Sequence, residues 1–147
     1  MMQKVLRLIF LGGILFSLCS CELETSGNGK LDGYWHLEAV DTLGTNGVSD
    51  LSNKRLFWSF QNKLLELRDR DGMISGFLFR FEHRSDSLIL TDPYLYNREE
   101  GDKPLTDATQ MAPYGLNELT ERLKIETLKG EKMVLSNKKY RLRLVRF

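Results

Sequence analysis

From residue 31 onward, apolar and polar positions alternate with a period of two, the pattern of strands buried on one face. Eight such runs occur, at 34–41, 56–60, 64–69, 75–83, 87–91, 122–128, 132–136 and 140–147. In the first, Trp35, Leu37 and Ala39 share a face opposite Tyr34, His36 and Glu38. The second aligns Leu56, Trp58 and Phe60, the third Leu65 and Leu67, and the fourth Phe77, Phe79 and Phe81. Leu123 and Ile125 oppose Arg122 and Lys124 in the sixth, and Leu142 and Leu144 oppose Arg141 and Arg143 in the last. No long stretch has the 3.6-residue period of an amphipathic helix. Residues 114–121, with Leu116 and Leu119 three apart, form the one short helical candidate.

Most connections are tight, as at 61–63, 84–86, 129–130 and 137–139, and short turns make successive strands antiparallel neighbours. One apolar face per strand predicts an all-β fold, an eight-stranded antiparallel up-and-down barrel. Two connections are long, 43–54 and 92–121, the second containing the helical candidate. In a meander, alternate connections share an end, so both long ones fall at one mouth. The opposite base has only tight turns, the start of the first strand and the finish of the last.

The N-terminus departs from this pattern. Lys4 and Arg7 precede an uncharged, mostly apolar run at 8–18, shorter than the roughly 20 residues a membrane-spanning helix needs. It has the form of a secretory signal. Leu18-Cys19-Ser20-Cys21 resembles the lipobox of bacterial lipoproteins, which implies cleavage after Ser20 and lipidation of the Cys21 thiol. The expected organisation is a signal peptide at 1–20, a lipidated flexible tether at 21–30 and a barrel at 31–147. Glu22 in place of Asp favours sorting to the outer membrane, facing the periplasm or the cell surface. Acyl chains would hold the protein on the membrane.

Composition narrows the function classes. Hydrophobic residues at 41% and charged residues at 28% suit a globular domain rather than a disordered one. A formal net charge of +1 gives no basic field for nucleic acid. Two cysteines, both at the N-terminus, leave the domain without a disulfide or a cysteine zinc site.

Gly33-Tyr34-Trp35 at the start of the first strand resembles the Gly-x-Trp signature of lipocalins. Together with eight short strands, Pro113-Tyr114-Gly115-Leu116, Lys132-Met133-Val134-Leu135 and a basic-aromatic C-terminus, residues 31–147 resemble small lipocalin-like lipoproteins of Gram-negative bacteria. The resemblance implies that Trp35 plugs the barrel base and that an Arg near the end of the last strand packs across it. Arg146, which shares the inward parity of Leu142 and Leu144, fits that place. The long helix that follows the barrel of typical lipocalins has no counterpart before Phe147.

The function expected is a lipid-anchored binding module for a small apolar ligand or an envelope protein at the mouth. Trp58, Phe77, Phe79 and Phe81 would form the floor, and Tyr94, Tyr96 and Tyr114 the contacts. The alternative is a structural accessory lipoprotein whose barrel is filled and whose outer surface meets a protein partner. Bulky inward aromatics on adjacent strands favour filling, since eight strands leave little interior to spare. No enzyme, cofactor or metal is expected. His36 lies outward and His83 at a turn. Asp69-Arg70-Asp71-Gly72 lacks the later ligands of a calcium loop. The basic run Lys138, Lys139, Arg141, Arg143 and Arg146 could meet anionic lipid headgroups but reads first as a solvated face and a turn.

Overall fold

The computed structural model describes residues 27–147, so the signal, Cys21 and most of the tether lie outside the described residues. Ten strands form in chain order: β1 (Gly33–Thr42), β2 (Gly47–Asp50), β3 (Leu56–Gln61), β4 (Leu64–Asp69), β5 (Phe77–Arg84), β6 (Ser87–Leu95), β7 (Lys103–Pro104), β8 (Glu121–Lys129), β9 (Lys132–Ser136) and β10 (Tyr140–Arg146). Eight of them, β1, β3, β4, β5, β6, β8, β9 and β10, run antiparallel around a barrel that β10 closes on β1. These are the eight alternating runs of the sequence. The other two are short additions: β2 folds back on the mouth half of β1, and two-residue β7 pairs with the end of β6.

The base is made of two-residue hairpin loops whose first residues, Asn62, Ser85 and Gly130, have φ of 55, 52 and 60°. Such loops match the strand twist and leave no room for insertions. Trp35 is fully buried there and donates its indole N–H to Leu31 O at 2.9 Å. Across the barrel seam Trp35 is paired in register with Arg146, whose guanidinium lies 4.4 Å from the indole centroid. Arg146 also donates to Asp32 O at 2.7 Å and Lys30 O at 2.6 Å. The cation therefore caps the indole and satisfies two backbone acceptors at once. Gly33 makes this possible. Its φ is 122°, and a Cβ there would sit 2.6 Å from Arg146 Nη1. Gly33→Ala is expected to lower stability by about 1–3 kcal/mol through backbone strain and a displaced guanidinium; urea denaturation of the variant measures this.

A bulge between Leu37 and Ala39 in β1 resets the alternation, so Val40 as well as Ala39 is buried. Phe57, outward by parity, is nonetheless buried. Tyr34 stacks on it at 4.6 Å, Phe147 meets its ring edgewise at 5.2 Å, and the Arg70 guanidinium lies 5.8 Å from its centroid. This is a small second core on the outer wall.

The helical expectation at 114–121 is corrected in position. A 3-10 helix covers Ala108–Tyr114 instead, and residues 115–120 are irregular. Asp107 accepts from Thr109 N at 3.0 Å to begin the helix, and Gly115 at φ 79° ends it by donating its N–H to Ala112 O. An Asx cap at one end and a left-handed glycine at the other outweigh the spacing of Leu116 and Leu119.

Candidate functional site

The mouth is closed by the longest connection. Leu105 N–H donates to Pro93 O at 2.8 Å and β7 adds to β6, which turns the chain back over the opening. Leu105, Met111, Tyr114 and Leu116 are buried and belong to the same apolar cluster as the barrel interior. Tyr114 meets Phe77 edge-on at 5.9 Å and donates its hydroxyl to Ser75 O at 3.1 Å. Burial pushes its phenol well above the usual range, so the ring stays neutral. Gly115 tightens the seal, since a Cβ there would fall 2.2 Å from Leu142 Cδ2.

The candidate contacts therefore divide into separate places. Trp58, Phe77, Phe79 and Phe81 are buried inward, with Trp58 opposite Trp35 and Leu67 in register. Phe81 packs edge-on against Phe60 at 5.2 Å, toward the base. Tyr114 is a closing residue rather than an exposed one. Tyr94 is exposed on the outer wall, beside a 230 Å³ depression that Leu64, Leu78 and Arg80 also line. Tyr96 lies half-buried, flanked by the Arg68 guanidinium at 5.3 Å and bonded to Arg98. Of the loop tyrosines only Tyr114 meets a floor aromatic, Phe77; Tyr94 and Tyr96 lie apart from them. Inside the barrel one polar atom stands out: Trp58 Nε1 is buried without a hydrogen-bond partner.

A wide cleft lies on the outside of the barrel. It is a groove of about 710 Å³ where β6, β8 and the β9–β10 turn meet, lined among others by Ser87, Asn117, Glu121, Lys124, Ser136 and Asn137. Glu121 is its buried member, 2% exposed. Its Oε2 accepts Asn117 N and Glu118 N, each at 3.1 Å, and its Oε1 accepts Asn137 Nδ2 at 3.0 Å. Asn137 is fixed in turn, its Oδ1 accepting Lys139 N at 2.9 Å and Tyr140 N at 2.7 Å. One carboxylate thus ties the end of the mouth connection to the β9–β10 turn. The signal for it was the shared parity of Glu121, Leu123 and Ile125, hidden by beginning that strand at Arg122.

Burial raises the Glu121 pKa, against the opposing pull of its N–H donors. A raised folded pKa means the proton favours the fold: this contribution is complete below the unfolded value and is lost as pH rises through the folded one. The stability of the native protein relative to a Glu121→Gln variant is therefore expected to increase from pH 7 to pH 5, read by urea denaturation at each pH. Glu121→Ala strands buried N–H donors and is expected to lower stability by on the order of 3 kcal/mol at either pH.

The remaining polar candidates are structural. Asp69 accepts from Asp71 N and Met73 N at 2.9 Å and Ile74 N at 3.0 Å, so its oxygens organise a turn. His36 donates to Lys54 O at 2.6 Å and His83 to Ser85 O at 3.0 Å, on opposite sides of the chain's meander. No group of three His, Cys, Asp or Glu side chains gathers among the described residues. In the basic C-terminal run, Arg141 is bidentate to Glu126 at 2.9 and 3.3 Å, which holds that carboxyl below its usual pKa range. Arg143 pairs with Asp41 at 3.0 Å.

Residues 15–147 match the family model described as a lipocalin-like domain. Among solved structures, a lipocalin-like protein from Bacteroides uniformis superposes with a TM-score of 0.59 at 18% identity, covering 81% of this chain and 100% of its own. An uncharacterized protein from Bacteroides eggerthii gives 0.55 at 17% identity, covering 79% and 98%. These likenesses concern the fold. None of the curated protein sequences matches this chain.

Proposed function

The chain belongs to the lipocalin-like domain family, and from that premise we propose that it is a binding module that engages its partner outside a filled barrel, while acyl chains on Cys21 hold it in the bacterial outer membrane. The lipocalin-like fold is that of a ligand-binding barrel. The observation that carries the departure is the packing of the interior. Trp35, Trp58, Phe60, Phe77 and Phe79 are each no more than 2% exposed, and Met111 and Tyr114 fill the mouth above them. Among the described residues, clefts at β6–β8, at the base beside Gly33 and on the outer wall beside Tyr94 open to solvent. Recognition on these surfaces suits a protein or another extended partner better than an apolar small molecule.

A second reading rests on Trp58. Its unpaired indole N–H would serve an apolar ligand with one acceptor if the mouth connection swung aside. Native mass spectrometry of protein purified from its own membranes separates the two. The proposal expects the lipidated mass alone or bound to a protein; a stoichiometric small apolar adduct would establish the second reading. Intact mass also tests the anchor, since acylated Cys21 as the first residue is expected and an unmodified thiol would refute it.

A further inference from the structure

We propose that the base of the barrel is a membrane-contacting surface that docks on anionic phospholipid headgroups and turns the mouth away from the bilayer. The inference rests on the anchoring of Cys21 proposed above and adds an orientation to it. The first described residues are part of the base itself. Asn28 is buried and donates to Asn62 O at 2.6 Å and Asp32 Oδ1 at 2.7 Å. Leu31 is fully buried and accepts from the Trp35 indole, and Arg146 grips the Lys30 and Asp32 carbonyls. Six residues lie between Cys21 and Asn28, seven chain steps in all. Seven steps of chain span at most about 25 Å. A lipid on Cys21 therefore ties the base end of the chain close to the headgroups.

The chemistry at this end suits that surface. Lys30, Lys63, Arg84, Lys129 and Lys132 are exposed around the base turns, against exposed Glu82, Asp86 and Glu131. Arg84 is engaged by Glu82 at 2.6 Å, while the four lysines form no ion pair among the described residues. Lysines close to an anionic bilayer are attracted to it within a Debye length. Phe147 adds an apolar contact. It is 79% exposed at the same end, with its N–H held by Tyr34 O at 2.8 Å. Aromatic rings at headgroup level beside cations are the usual makeup of a membrane-facing surface. The long mouth connection has the opposite sign, with exposed Asp92, Glu99, Glu100, Asp102, Asp107 and Glu118 outnumbering Arg98 and Lys103.

The test uses the chain's own lysines. Protein beginning at Cys21 is coupled through that thiol to a maleimide-bearing phospholipid in vesicles of phosphatidylcholine with phosphatidylglycerol, and exposed lysines are acylated and read by peptide mass spectrometry. Acylation of Lys30, Lys63, Lys129 and Lys132 is expected to fall several-fold relative to the uncoupled protein. Labelling of Lys103, Lys138 and Lys139 at the mouth should stay unchanged. The protection should weaken in pure phosphatidylcholine vesicles and in a Lys63→Ser/Lys129→Ser/Lys132→Ser variant, read there at Lys30. Equal labelling at both ends, or protection of the mouth set, would overturn the orientation. Because the coupling supplies the anchor, this result is independent of whether cells acylate Cys21.

Discussion

Replacing Trp35 by alanine is expected to lower stability by about 3–5 kcal/mol, the range for truncating a large buried aromatic. The side chain is fully buried, its N–H serves Leu31 O, and its face carries the Arg146 guanidinium. Losing it opens a cavity between the chain entering the barrel and the strand leaving it. Arg146→Ala is expected to cost about 2–3 kcal/mol, since it strands the Asp32 and Lys30 carbonyls that the guanidinium satisfies. The two should not add. Once the indole is gone the cation has no face to cover, so the double variant should be more stable than the sum by about 1 kcal/mol. Urea denaturation of the four proteins completes the cycle. Additive losses would mean that Trp35 and Arg146 stabilise the base separately.

Replacing residues 92–113 by a four-residue turn is expected to abolish cooperative unfolding. A mouth loop that only recognises a partner would be dispensable, and the sequence pattern suggested one. The structure gives the segment a different role. Leu105 and Met111 are in the central cluster, and Tyr114 at its end is held over Phe77. Removing two buried side chains at about 2–5 kcal/mol each approaches the whole stability of a domain this size. Circular dichroism melting gives the outcome: a melting temperature within a few degrees of the native protein would mean that the connection is a detachable lid. Met111→Ala is the milder version, with an expected loss of about 2–5 kcal/mol and an intact fold.

The barrel was legible because each strand buries one face, so period two shows in the sequence, interrupted in β1 where a bulge brings Val40 inward. Trp35 and Arg146 were legible from parity and from the Gly33-Tyr34-Trp35 resemblance. The mouth was not. Its 3-10 helix buries Met111 and Tyr114 without any repeating period, and its ends are set by Asp107 and Gly115 rather than by apolar spacing. Exposure of Tyr94 and burial of Tyr114 cannot be told apart in a connection that lacks alternation. Glu121 was hidden for another reason. A buried carboxylate is tolerated only where donors converge, and its donors, Asn117 N, Glu118 N and Asn137 Nδ2, come together through folding alone. Phe57 shows the same limit on the outer wall, where Tyr34, Phe147 and Arg70 cover a residue that parity assigns to solvent.

Tryptophan emission during titration with a fatty-acid series tests the filled interior most directly. Trp35 and Trp58 are the only tryptophans, and both lie inside the barrel at 0% exposure. Trp58, in register between Trp35 and Leu67, faces the interior that an apolar ligand would enter. A filled barrel predicts no change in emission maximum or intensity at any chain length, with the native melting temperature unaltered. A saturable shift in emission, accompanied by a raised melting temperature, would contradict it and place the ligand against Trp58.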